Sequence, residues 1–163
     1  MFTDFKELLS AFNAHNVRYL VVGGYAVSFY AQPRATKDLD LFIDSSLENA
    51  QAAYKALSSF GAPLTDISVD DLMDPQKFLR FGQEPVAIDI LSGIDGVDFM
   101  EAWNHRVEAV IDPESNLSAL FISREDLIAA KRAAGRLRDL ADVEEIQQAE
   151  ASGLKHKIRE SPS

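Results

Sequence analysis

The stretch Tyr19 to Ile43 reads YLVVGGYAVSFYAQPRATKDLDLFI, and the rest of the chain is arranged around it. Tyr19 to Val22 is a short apolar run with β-branched residues, which predicts a buried strand. Gly23 and Gly24 follow directly, then a helix-compatible segment from Tyr25 to Tyr30. After a turn containing Pro33 comes Lys37-Asp38-Leu39-Asp40-Leu41-Phe42-Ile43. Strand side chains alternate faces, so Asp38 and Asp40 share one face while Leu39, Leu41 and Ile43 take the other. Two carboxylates roughly 6–7 Å apart along a strand suit one or two hard divalent cations. A helix beginning just after the glycines aims free backbone N–H groups at an anion. Carboxylates for a metal facing a cradle for phosphate point to phosphoryl or nucleotidyl chemistry. Arg34 and Lys37 lie beside the acidic pair, either to contact a triphosphate or to balance the carboxylates. Of the two, Arg34 is the better phosphate candidate, because a guanidinium binds bidentately.

Working outward, Thr3-Asp4 is expected to cap a helix running to His15, with Phe5, Leu8, Leu9 and Phe12 as its buried stripe. Downstream, Asp44-Ser45-Ser46 ends the strand and caps a helix over 47–60, which Gly61 terminates. Residues 62–74 are Asp-rich and aperiodic; Asp66, Asp70, Asp71 and Asp74 read as solvated loop acids. Lys77 to Phe81 and Pro85 to Leu91 flank Gly82-Gln83-Glu84 and read as a β-hairpin. Within it Asp89 stands alone in an apolar strand. Either it faces outward from an alternating strand, or a cation or strong donors lie beside it, since an unpaired buried charge is costly. A short helix over 98–106 carries Trp103, which reads as core or interface, and two further strands cover 108–112 and 117–122. Ser123 starts a helix bearing Lys131 that Gly135 breaks; a last helix follows, with Leu140, Val143 and Ile146 expected on one face. In it Asp139 and Asp142 are placed to orient Lys131, Arg136 or Arg138.

This order of elements predicts an α/β (α+β) fold: one mixed β-sheet flanked by helices, with a C-terminal helical extension. A single domain is expected over 1–150, the helices of 123–150 included, and a flexible tail over 151–163. The composition, 47% apolar and 26% charged, is that of a globular domain. No apolar run reaches about 18 residues, so no membrane span is expected, and with no cysteine a cytoplasmic setting is the simplest reading. A formal net charge of −10 argues against a broad sequence-independent nucleic-acid binder.

Gly23-Gly24 followed by Asp38-Leu39-Asp40-Leu41 resembles the signature of the DNA polymerase beta-like nucleotidyltransferase superfamily. The version here, Arg34-x-Thr36-x-Asp38-x-Asp40, together with Lys131, Arg136, Asp139 and Asp142 downstream, is most similar to small bacterial AbiEii-type enzymes. The resemblance implies a nucleotidyltransferase fold and activity: transfer of NMP from an NTP to a hydroxyl acceptor, with pyrophosphate released. It implies Mg²⁺, or Mn²⁺, in a two-metal site held by Asp38, Asp40 and a third aspartate on a later strand, for which Asp89 is the best match. Gly23, Gly24, Arg34, Lys37 and Lys131 would then bind the nucleotide. Three acceptor classes stay open, a protein hydroxyl, an RNA 3′ end or a small molecule such as an aminoglycoside; the resemblance favours protein or RNA, in a toxin–antitoxin or defence context with a cognate antitoxin or toxin protein as partner. The alternative is a catalytically inactive nucleotide- or partner-binding module of the same fold; a metal-dependent phosphohydrolase is disfavoured by the glycine pair.

Overall fold

In a computed structural model, residues 1–83 and 86–153 are described, and they form a six-stranded mixed sheet with helices packed around it. Strand β1 (Tyr19–Val22) is buried along its whole length, as a continuous apolar run in a central position must be. It runs without a linker into helix α2 (Gly23–Tyr30), so the helix begins at the glycines themselves, two residues earlier than expected. Strand β2 (Asp38–Ile43) then returns antiparallel to β1, pairing Val22 with Asp40 and Tyr19 with Ile43. Its first residues alternate as predicted: Leu39 and Leu41 are fully buried, and Asp38 and Asp40 are half-buried on the opposite face.

Helix α1 (Thr3–Ala14) buries Phe5, Leu8, Leu9 and Phe12, the expected stripe. Phe2 rather than Thr3 stands at its N-cap, with no side-chain capping bond. Helix α3 (Leu47–Phe60) has Ser46 as cap, accepting from the Asn49 N–H at 3.3 Å, and ends at Gly61 in a left-handed conformation. The aperiodic stretch contains a short helix, α4 (Val69–Met73), closed by a capping box between Ser68 and Asp71. Asp71 pairs with Lys77 at 2.6 Å on the exposed surface, in keeping with a solvated loop acid.

Strands β3 (Phe78–Gln83) and β4 (Val86–Leu91) form the expected hairpin. Its strand extends through Gly82 and Gln83, because Gln83 still pairs with Val86. The remaining turn residue of the expected turn, Glu84, lies outside the described residues. After α5 (Phe99–Asn104), strands β5 (Val107–Asp112) and β6 (Leu117–Phe121) make a second antiparallel pair. The strand order is β3-β4-β2-β1-β6-β5, with β2/β4 and β1/β6 parallel. Helices α6 (Arg124–Ala134) and α7 (Leu137–Ala151) pack on each other and against α2. The expected tail falls largely in 154–163, outside the described residues.

One further expectation changes, while Trp103 keeps the packing role expected of it. Leu140 is 47% exposed, and the buried face of α7 is instead Asp139, Asp142, Val143, Ile146 and Ala149. The two carboxylates face inward toward cations on α6 and on the loop before β2, and this rotates Leu140 to the surface. Trp103 stacks on Phe99 at 5.9 Å and carries Arg106 over its ring at 4.0 Å, a packing role at the sheet's margin.

Asn49 ties the central strands together. Its Oδ1 accepts from the Arg18 N–H at 2.7 Å, and its Nδ2 donates to the carbonyls of Arg18 at 3.1 Å and Asp44 at 2.8 Å. It therefore clamps the start of β1 to the end of β2 from a position only 5% exposed. Asn49→Ala leaves these backbone groups without partners and is expected to destabilise the fold by about 2–3 kcal/mol. Urea unfolding measures this, and a loss within experimental error would show that the clamp contributes nothing.

Candidate active site

An open cleft of ≈ 850 Å³ lies at the end of the sheet where β1 gives way to α2. The residues read from the sequence as site candidates, Gly23, Gly24, Arg34, Lys37, Asp38, Asp40, Asp89 and Lys131, all line it. The topology explains the convergence of the acids. Strands β2 and β4 are parallel neighbours, and their register sets Asp40 directly beside Asp89. Strand β3 pairs with β4 so that Arg80 stands opposite Asp89 on its other side. Three adjacent strands thus present Asp40, Asp89 and Arg80 in one row, with Asp38 one pleat away.

The glycine pair has a reason beyond dihedral freedom. Gly23 has φ +67°, and a Cβ there would overlap Asp40 Oδ2 and lie 2.8 Å from its Cγ. At Gly24 a Cβ would come within 2.7 Å of Thr36 Cγ2. The first turn of α2 is therefore pressed against the strand that carries the acids, which keeps its backbone N–H groups beside them.

Electrostatics reflect the crowding. Burial, then the hydrogen bond with Asp89 and the charges of Asp89 and Asp38, push the Asp40 carboxyl up to about 7, with Lys131 opposing. Arg80 relieves part of the repulsion: its Nε donates to Asp89 Oδ1 at 2.8 Å and its Nη2 to Asp89 Oδ2 at 3.0 Å and Asp38 Oδ2 at 3.4 Å. On the opposite wall, Asp142 accepts from Arg34 at 2.9 and 3.4 Å and from Lys131 at 3.0 Å. Asp139, 1% exposed, pairs with Arg136 at 2.6 Å and Lys131 at 3.5 Å. Burial raises the Asp142 carboxyl, but the bonds from Arg34 and Lys131 outweigh it and hold the group below the usual range. For Asp139 the Arg136 bond is the main cause of the same direction. Lys37 is exposed at the rim.

The acids fit a hard divalent cation. Their donors are all carboxylate oxygens, Asp38 Oδ1 is buried without a hydrogen-bond partner, and burial beside Asp89 and Asp38 keeps Asp40 from ionising readily. Among the described residues, no three metal-ligating side chains already converge into a preformed cluster, and the Arg80 guanidinium binds two of these acids. The sequence reading missed Arg80, because it lies on the partner strand of the hairpin. The turn expected at Gly82-Gln83-Glu84 would have set Lys77 opposite Asp89, and only the observed register, with Gln83 paired to Val86, brings Arg80 there.

Two outcomes follow from this geometry. Gly23→Ala forces Asp40 out of its seat on top of the backbone strain, and is expected to lower Tm by several degrees and weaken metal binding measured by calorimetry. A variant with unchanged Tm and metal affinity would show that the close approach is dispensable. The second concerns pH. Asp40 holds its proton more tightly when folded than at its ordinary value of 3.8, so the folded state binds more protons between the two values. Stability of the chelator-treated chain should therefore fall as pH rises from about 4 through about 7, and Asp40→Asn should flatten that slope. Equal slopes in thermal melts of both proteins would refute the assignment.

No curated protein matches the sequence. Among solved structures, the chain is similar to the lincosamide antibiotic adenylyltransferase LnuA, determined with lincomycin bound, with a TM-score of 0.52 at 15% identity over 90% of this chain and 96% of that one. It is also similar to the antibiotic-resistance factor ANT(2'')-Ia, whose solution structure gives a TM-score of 0.55 at 14% identity over 93% of this chain and 85% of that one. At these identities the likeness is one of fold. Residues 1–156 match the family described as nucleotidyltransferase of unknown function (DUF6036). That match carries the superfamily resemblance of the glycine pair and the Asp-Leu-Asp-Leu strand, and lends nothing to the AbiEii-type branch. The chain belongs to this DUF6036 family and is a nucleotidyltransferase.

Proposed function

We propose that the chain moves a nucleoside monophosphate from a nucleoside triphosphate to a hydroxyl acceptor, using divalent metal held by Asp38, Asp40 and Asp89. The observation that carries this reading is the row of carboxylates across β2 and β4 facing the Gly23-Gly24 helix start within one cleft. Bound Mg²⁺ or Mn²⁺ would supply charge neutralisation for the phosphates and activation of the acceptor oxygen. The N–H groups at the start of α2 would hold the leaving phosphates, supported by the dipole of that helix. Arg34 and Lys131, fixed by Asp142, would bind the outer phosphate oxygens without having to be ordered at the moment of reaction.

In the reaction the acceptor oxygen attacks the α-phosphorus, the bond to the β-phosphate bridging oxygen breaks, and pyrophosphate leaves. The acceptor proton passes to Asp89, the carboxylate beside Asp40 on the neighbouring strand. The acceptor would approach over β3 and β4, on the far side of the acids from the glycine pair. That edge reaches solvent at Phe78, 60% exposed, which leaves room for a protein or RNA hydroxyl as well as for a small-molecule acceptor. A single domain in the cytoplasm, spanning residues 1–150, is the corresponding assignment.

Asp40→Asn is expected to reduce transfer at least a thousandfold while leaving the far-UV spectrum unchanged. The measurement supplies each α-labelled triphosphate with Mg²⁺ and a cell extract, and follows label into protein, RNA and small-molecule fractions. Equal labelling by the wild-type chain and the variant would sink the mechanism. Metal-dependent triphosphate binding without any labelled fraction would favour the inactive binding module.

A further inference from the structure

Three of the carboxylate oxygens proposed to hold metal already have a cationic partner. Arg80 takes both oxygens of Asp89 and Oδ2 of Asp38, a fork-like contact from a rigid strand rather than from a flexible loop. A divalent cation can take Asp38 Oδ1 without contest, but on Asp89 it would draw on the oxygens that Arg80 already holds. Two cationic centres on one carboxylate repel each other strongly where water is scarce, and Asp89 is only 8% exposed. The Arg80 side chain is 44% exposed, so it has solvent to swing into.

Resting on the metal-dependent reading above, we propose that Arg80 is a positioning residue that competes with divalent metal for Asp89 and Asp38. It holds the acids in their row and yields them as the metal arrives. Once displaced, its guanidinium stays on the β3 side beside Phe78, across Asp89 from the glycine pair. It therefore belongs to the acceptor side of the cleft and not to the groups that hold the triphosphate.

Calorimetric titration of Mn²⁺ into the full chain tests this, with Arg80→Met, Arg80→Lys, Asp40→Asn and Asp89→Asn beside it. Arg80→Met should bind Mn²⁺ at least tenfold more tightly than the wild-type chain, and Arg80→Lys, which keeps the charge but not the fork, should lie between. Affinity for a non-hydrolysable triphosphate at saturating Mn²⁺ should change less than threefold in either Arg80 variant. Equal or weaker Mn²⁺ binding by folded Arg80→Met and Arg80→Lys would overturn the competition. Joint loss of metal and triphosphate affinity would do the same, making Arg80 a triphosphate ligand or a scaffold. If the wild-type chain binds Mn²⁺ and the two aspartate variants bind it equally well, the metal assignment fails as well. Mn²⁺ binding that the aspartate variants abolish, with no gain in the Arg80 variants, would remove this inference alone.

Discussion

Asp40 sits at the middle of the sheet's open end, with Asp89 beside it on the parallel strand and Gly23 against its carboxylate. Placing acids this close in a partly dry site is unfavourable, and the surrounding residues can be understood as responses to that cost. Gly23 makes room by having no Cβ. Arg80 supplies charge from β3, and Lys131 supplies it from α6. Without these acids Arg80 would lose its pairs with them, while Gly23 would still be required by its left-handed backbone and Lys131 would keep its pairs on α7. The site is thus built on a repulsion that the fold contains and that substrate and metal would relieve.

A second set of ion pairs repeats the logic. Here the acids Asp139 and Asp142 are buried, and Arg34, Lys131 and Arg136 reach them from three different segments. Lys131 bridges the two systems, paired to α7 and close enough to Asp40 to lower its affinity for protons. Such pairs add little net stability once desolvation is counted. Their value is geometric, since they fix long side chains at the wall of the cleft before a ligand arrives. The chain's excess negative charge is accordingly not spread evenly over the cleft.

Much of this was legible from residues 19–43. A strand, a glycine pair and an alternating acidic strand state their own geometry, because the two-residue period leaves Asp38 and Asp40 no choice but to share a face. Asp89 was visible as an anomaly in an apolar strand, and the fold supplies Arg80 as the strong donor that such a residue needs. Arg80 itself was hidden, because cross-strand pairing depends on hairpin register, which composition does not express. Leu140 misled for a related reason. Its apolar character suggested the core, yet the buried stripe of α7 begins with two carboxylates, and only their tertiary partners show why. Residues 62–74 carried no period because α4 is barely longer than one turn.

The hairpin also bears on the order in which the chain is assembled. Arg80 and Asp89 lie 9 residues apart in sequence, so their pairing requires little loop-closure entropy. The pairing of β2 with β4 is long-range and parallel, and must enclose α3 and α4 before it forms. Contacts of that kind are the slow ones in folding. Loop-closure entropy thus favours Asp89 meeting Asp40 with its counter-charge already in place, so that this long-range pairing closes on a neutralised partner rather than on two bare acids.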